Sequence, residues 1–327
     1  MHHALFSPIR WLSALALAGL LHGAAQAQTL ALVSSEKDNA ITVIRLADLQ
    51  LQAPIPTCKR PRHMQLSANR QQLLVACSDS AAADVIDLRS LRSVDRIPLS
   101  DDPEIFDLSP DGRTFYVSNE DDAALSIIDA TSRKIVASVP VGREPEGVKV
   151  SADGKTVYVS SEVANSVHVI DTASRKLVKT IAVGQRPRRM ALSPDGKELW
   201  VSNELGASIS IISTAEQKVV HTLTLDLKGA RASDITPVGL LIGRDGKRAY
   251  VAMGRANHVA FIDVASRQIT ERVLVGRRAW GLALSQDESR LYVVNGLSDD
   301  LTVVDVKAAR ALKSVPVGRV PHTVVLY

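Results

Sequence analysis

One motif recurs at a fixed interval, and it constrains the fold more tightly than any other feature of the sequence. The aromatic or Leu that opens a Tyr-Val-Ser-Asn-like motif falls at Leu32, Leu74, Tyr116, Tyr158, Trp200, Tyr250 and Tyr292, at intervals of 42 residues with a single interval of 50. A proline keeps the same count at Pro61, Pro103, Pro145, Pro187, Pro237 and Pro321, with Ala279 in the remaining place. The Asp closing the third apolar run does likewise at Asp87, Asp129, Asp171, Asp263 and Asp305, and Ser213 fills one slot. Three markers in one register make the repeat the structural unit.

The unit that starts at Pro145 shows what it encodes. Glu146–Ser151 reads as a short strand, Ala152-Asp153-Gly154-Lys155 as a hairpin turn in which Gly supplies positive φ, and Thr156–Ser160 as the second strand. After a loop, Val167–Asp171 and Lys176–Val183 complete four strands rich in Val, Ile and Leu. A small sheet apolar on both faces is not stable alone, but stacking seven around an axis buries those faces. The expected fold is all-β: a seven-bladed β-propeller of four-stranded antiparallel blades. The N-terminal repeat lacks a first strand, whereas Pro321–Tyr327 is a first strand with no blade after it, so the C-terminal strand is expected to complete the N-terminal blade and close the ring.

Charge and composition narrow the function classes. Lys plus Arg is 39 against 35 for Asp plus Glu, and the basic residues alternate with acids, which argues against a nucleic-acid surface. Two cysteines exclude a four-Cys zinc site, and no C-x-x-C-H is present for covalent haem. Arg10, the apolar run Trp11–Leu21 and Ala25-Gln26-Ala27 have the three-part form of a cleavable secretory leader over residues 1–27. The apolar run is shorter than the roughly 20 residues of a spanning helix. Residues 28–327 are therefore expected to be one propeller domain in the periplasm, without membrane insertion.

The Tyr-Val-Ser-Asn units, the Ser-Pro-Asp-Gly-Lys turns and the Val-Gly-x-x-Pro connections resemble the YVTN family of β-propeller repeats. The loops Ser35-Glu36-Lys37-Asp38-Asn39, Asn119-Glu120-Asp121-Asp122, Glu144-Pro145-Glu146-Gly147 and Gln185-Arg186-Pro187-Arg188 resemble more narrowly the β-propeller family associated with catabolism dependent on pyrroloquinoline quinone (PQQ). That resemblance implies a periplasmic protein encoded beside an ABC-type exporter and PQQ-dependent alcohol oxidation. It implies no reaction, and PQQ enters only through partner enzymes. Asp195–Trp200 is similar to a tryptophan docking motif of PQQ enzymes but occurs once, so no cofactor is expected on this chain.

Blade-specific residues collect on the face carrying the Val-Gly-x-x-Pro connections and the loops after Tyr-Val-Ser-Asn. The residue after each proline marker reads Arg62, Glu104, Glu146, Arg188, Val238, Trp280 and His322. The residue four after each aromatic marker reads Glu36, Ser78, Glu120, Glu162, Glu204, Gly254 and Gly296. The candidate channel mouth is Arg62, His63, Glu104, Glu120, Glu146, Glu162, Arg188, Glu204, Arg278, Trp280 and His322, extended by Arg60, Arg186, Arg189 and Arg277. Such a ring either binds a small anionic or hydroxylated ligand, with Arg forks on oxygens and Trp280 as a wall, or pairs acid with base to hold blades in register.

His63, His258 and His322 could join Glu36 at a metal, but no short-spaced ligand pair supports this and none is expected. Cys58 and Cys77 are expected to bridge in an oxidising compartment. The eight extra residues within Leu225–Thr236 read either as a partial lid or as a tolerated insertion. The functional expectation is a non-enzymatic binding or scaffold propeller with a protein partner or small polar ligand. The alternative is a lactonase-like hydrolase at the mouth.

Overall fold

A computed structural model describes Met1 and residues 29–327; apart from Met1, the expected leader lies outside the described residues. The described chain forms seven antiparallel sheets, the blades of a propeller, each numbered here by its second strand in chain order. Blade 4 is representative, with strands Pro145–Val150, Thr156–Ser161, Ser166–Asp171 and Lys176–Ala182. These bounds depart from the sequence expectation by a residue, because the bulge after the proline and the flanking turns set the ends.

Closure follows the expectation. Pro321–Leu326 pairs antiparallel with Leu30–Ser35 in blade 1, with Leu32 opposite Val325. The ends are held further by the Thr29 and Leu30 amides donating to the Tyr327 carbonyl. Blade 1 is irregular at its rim, where Gln50–Leu51 and Ile55–Pro56 form two short strands in place of one. Pro54 and Pro56 lack the amide donor a continuous strand requires.

The cores lie between blades. One cluster joins Tyr116 and Ile127 of blade 3 to Val148 and Val159 of blade 4. Another joins Val33 and Val324 of blade 1 to Tyr292 and Val303 of blade 7, so the closing strand carries core residues as well as a ladder. Beside the apolar contacts, the motif serine staples neighbours. Ser34, Ser118, Ser160 and Ser202 each donate to the carbonyl of the residue after the next blade's proline position: Arg62 (2.7 Å), Glu146 (2.6 Å), Arg188 (2.7 Å) and Val238 (2.8 Å). The repeat serine therefore positions the backbone of the variable channel residue.

The motif asparagine closes the outer part of the blade, as when Asn119 donates to Ser126 at 2.7 Å. Opposite it sits a glycine: at Gly184, a Cβ would lie 2.9 Å from that of Asn203. In blade 2 cysteines hold both places, and Cys58 and Cys77 are joined by a disulfide with Cα atoms 5.8 Å apart.

The insertion does not form a lid. Leu225 and Ile235 are buried in the core of blades 5 and 6, Arg272 pairs with Asp226, and no residue of Leu225–Thr236 lines the mouth cavity. Its apolar residues find more surface to bury against the two blades than over a polar mouth.

Candidate functional site: the channel mouth

A cavity of about 460 Å³ opens at the connection face. Its walls carry six carboxylates (Glu36, Glu104, Glu120, Glu146, Glu162, Glu204) and six guanidiniums (Arg60, Arg62, Arg186, Arg188, Arg255, Arg278), with Trp280 and His322 between them. The sequence-derived candidates Arg62, Glu104, Glu120, Glu146, Glu162, Arg188, Glu204, Arg278, Trp280 and His322 all line it.

His63 does not line it, which corrects the expectation. It lines a second cavity of about 360 Å³ with Phe106, Asp107, Lys149, Arg189 and Met190, and His322 touches both. The cause is local. In blades 1 to 5 and 7 the strand register shifts between the proline position and the third residue beyond it, releasing two residues from the ladder. The first of them, as in Arg62 and Arg188, reaches the mouth, and the second, as in His63 and Arg189, lines the deeper cavity.

Ion pairing knits blades 1 to 5. Arg62 bonds Glu104 of the next blade and lies 3.9 Å from Glu36 of the previous one. Arg188 bonds Glu162 and approaches Glu146 at 3.3 Å and Glu204 at 3.7 Å. Above them, Arg186 lies 2.7 Å from Glu162 and 3.2 Å from Glu204, while Arg60 lies 3.7 Å from Glu36 and 3.5 Å from Asp102. Acids and bases thus pair across blades, and a cavity remains between them.

Burial and charge split the carboxyls. Burial pushes Glu146 up, but Arg188, Arg189 and Arg62 outweigh it and hold the group at about 2. Glu162 goes the other way, pushed up to about 7 by burial, with Glu146 and Glu204 adding to it against Arg188 and Arg186. Glu120 is raised by burial and by the charges of Asp102 and Glu146. Burial lowers His63 to about 3 and, aided by Arg189 and Arg62, holds His322 well below its ordinary value, so both rings are neutral. His322 Nε2 lies 3.1 Å from Arg189 Nη2 and accepts its hydrogen bond in that state.

Blades 6 and 7 differ. Arg278 and Arg188 stack on Trp280, with guanidinium carbons 4.3 and 5.2 Å from the indole ring. Arg255 and Arg278 make no ion pair with any described residue. Arg255 is the cavity residue that sequence reasoning passed over: it sits five, not four, after its aromatic marker Tyr250, beside Gly254.

Among the described residues one group could offer oxygen ligands to a hard cation. Asp102, Glu104 and Glu120 each place a carboxylate oxygen within 4.8 Å of the others. Arg62 and Arg60 already occupy two of these acids. His258 turns away to the Ala256 carbonyl at 2.6 Å, and Glu36 is not beside His63, so the histidine-based metal set does not assemble.

Fold and mouth together define a seven-bladed β-propeller with a charged central cavity. Sequence comparison agrees in class. A model of YNCE-like beta-propellers matches residues 67–150 and 106–193, and a model of seven-bladed beta-propeller lactonases matches residues 184–321. No curated protein matches the chain significantly. Among solved structures, a functionally unknown protein from Desulfotomaculum acetoxidans is similar at 16% identity with a TM-score of 0.77, covering 91% of this chain and 98% of that one. Dihydro-heme d1 dehydrogenase NirN is similar at 16% identity with a TM-score of 0.68, covering 93% and 76%. Kuenenia stuttgartiensis hydrazine synthase matches at 21% identity with a TM-score of 0.54, covering 75% and 95%. Likeness at these identities is a likeness of fold.

Proposed function

We propose that this protein is a periplasmic ligand-binding propeller without catalytic activity of its own, serving PQQ-dependent alcohol catabolism and its associated ABC-type transport system. The observation that carries the binding reading is the mouth cavity, in which twelve charged side chains surround open space. A pure register device would need the ion pairs and not the cavity. The leader-like first 27 residues and the blade-specific loops support the cellular setting. Thermal-shift titration with lactones, quinones, hydroxy acids and divalent cations tests the binding reading. A saturating ligand at about 100 times its Kd adds about 2.7 kcal/mol of stability, and no shift with any class overturns it.

A lactonase-like hydrolase is the second reading, favoured by the family match over residues 184–321 and by Glu162, whose carboxyl lies near neutrality. As general base Glu162 would take a proton from water attacking the lactone carbonyl, then return it to the departing ring oxygen. The distinguishing measurement is lactone turnover: Glu162→Gln abolishes it in a hydrolase, and its absence in the unaltered protein rejects this reading.

A further inference from the structure

The mouth is balanced in number of charges but not in how they are paired. Arg60, Arg62, Arg186 and Arg188 all have carboxylate partners. Arg255 and Arg278 have none among the described residues, and both belong to the arc of blades 6 and 7. Trp280, on which Arg278 stacks, lines the same cavity; it is 7% exposed and its indole N–H finds no acceptor among the described residues. Two unpaired planar forks beside an unfilled N–H form a donor set for the two oxygens of a carboxylate.

The other wall asks for something different. Arg60 beside Glu36 and Arg186 beside Glu204 set a donor next to an acceptor, and all four side chains retain some exposure to the cavity. A second anion there would meet the glutamates and a cation would meet the arginines. A hydroxyl both donates and accepts, so it satisfies such a pair without upsetting its charge.

We infer that the cavity takes a hydroxylated carboxylate, with its carboxylate group on Arg278, Arg255 and Trp280 and its hydroxyls along the paired wall of Glu36, Arg60, Arg186 and Glu204. The inference rests on the binding reading above and names the chemistry of the ligand. The planar form of the fork matters as well as its charge, because Arg278 reaches the site while stacked on the indole.

Calorimetric titration of the purified protein with gluconate, sorbitol and butyrate tests it. Gluconate carries both features, sorbitol only hydroxyls, and butyrate only the carboxylate. The expected result is gluconate binding at least tenfold tighter than either of the others. Arg278→Ala then weakens gluconate at least tenfold while changing sorbitol less than twofold, and Arg278→Lys restores only part of the loss. Arg255→Ala provides an independent variant on the same subsite and weakens gluconate in the same selective way. Sorbitol or butyrate binding as tightly as gluconate overturns the inference, as does gluconate binding that neither alanine variant alters. If none of the three binds while a quinone or divalent cation shifts the thermal transition, the ligand class is wrong and the binding reading stands. If nothing in either experiment binds, both fall.

Discussion

Two arcs of one mouth are built from the same repeat and end in opposite electrostatic states. From blade 1 to blade 5 the residue four after the aromatic marker is Glu36, Ser78, Glu120, Glu162 or Glu204, whereas blades 6 and 7 have Gly254 and Gly296. The carboxylates of the first arc neutralise its arginines; the second has arginines and no carboxylate to meet them. The two glycines have different causes. Gly254 has φ +55°, and a Cβ there would lie 2.1 Å from the Thr236 carbonyl, so the chain leading out of the insertion excludes any side chain. At Gly296 the nearest atom to a Cβ is 3.7 Å away, so packing alone does not require glycine. A packing constraint from the insertion thus keeps a carboxylate out of this position and helps leave Arg255 and Arg278 without a partner.

The largest expected effect concerns what both arcs share. His322 sits where they meet, on the strand that closes the ring, within 3.1 Å of Arg189 and near Trp280. Deleting Val320–Tyr327 removes the inner strand of blade 1 and its share of the core with blade 7, and cooperative thermal unfolding is expected to be lost. A transition at the unaltered temperature would break the closure on which the comparison depends.

The next effect separates the arcs directly. Glu146→Gln leaves buried Arg188 and Arg189 short of a counter-charge and is expected to cost about 3–5 kcal/mol in urea unfolding, as when one partner of a buried ion pair is removed. Arg278→Ala, which breaks no ion pair, is expected to cost under about 1 kcal/mol on the scale of surface side chains while abolishing selectivity for the acid. Equal losses in the two variants would erase the distinction between a self-satisfied arc and an open one.

A smaller effect follows from pH. His63 and His322 titrate below their ordinary value of 6.5 in the folded protein. The unfolded chain therefore binds protons first, and the stability these groups contribute is full above 6.5 and declines as pH falls toward about 3. Glu146, held at about 2 against an ordinary 4.5, adds to the decline once the pH drops below 4.5. Glu162, raised to about 7, takes up its proton first in the folded state and offsets part of this decline between 7 and 4.5. With two histidines against it, the unfolding free energy measured from pH 7.5 to 5 is still expected to fall, and His63→Phe to flatten part of that slope. A variant slope identical to that of the parent would show that His63 does not contribute.

The legible part of this molecule is what repeats. A period of 42 residues, counted three ways, determined blade number, strand order, turn chemistry and closure, because every blade solves the same packing problem with the same residues. It also brought Cys58 and Cys77 to facing positions, which the disulfide confirms. Even the mouth was largely readable, since a position that varies within a constant frame stands out.

What one repeat does not encode is the relation between repeats. The bulge that sends Arg62 to the mouth and His63 to the deeper cavity is a backbone irregularity invisible in residue type. Whether the insertion would cover the channel depended on where Leu225 and Ile235 found apolar surface, and they found it between blades 5 and 6. The pairing of five of the six acids with four of six arginines likewise depended on distances across the ring, to which spacing along the chain gives no access. The sequence by itself determined a closed ring of seven blades, since local strand pattern and stacking are properties of the repeat. Which charges cancel and which stay unpaired emerged only from the folded ring, because electrostatic partners are chosen by separation in space.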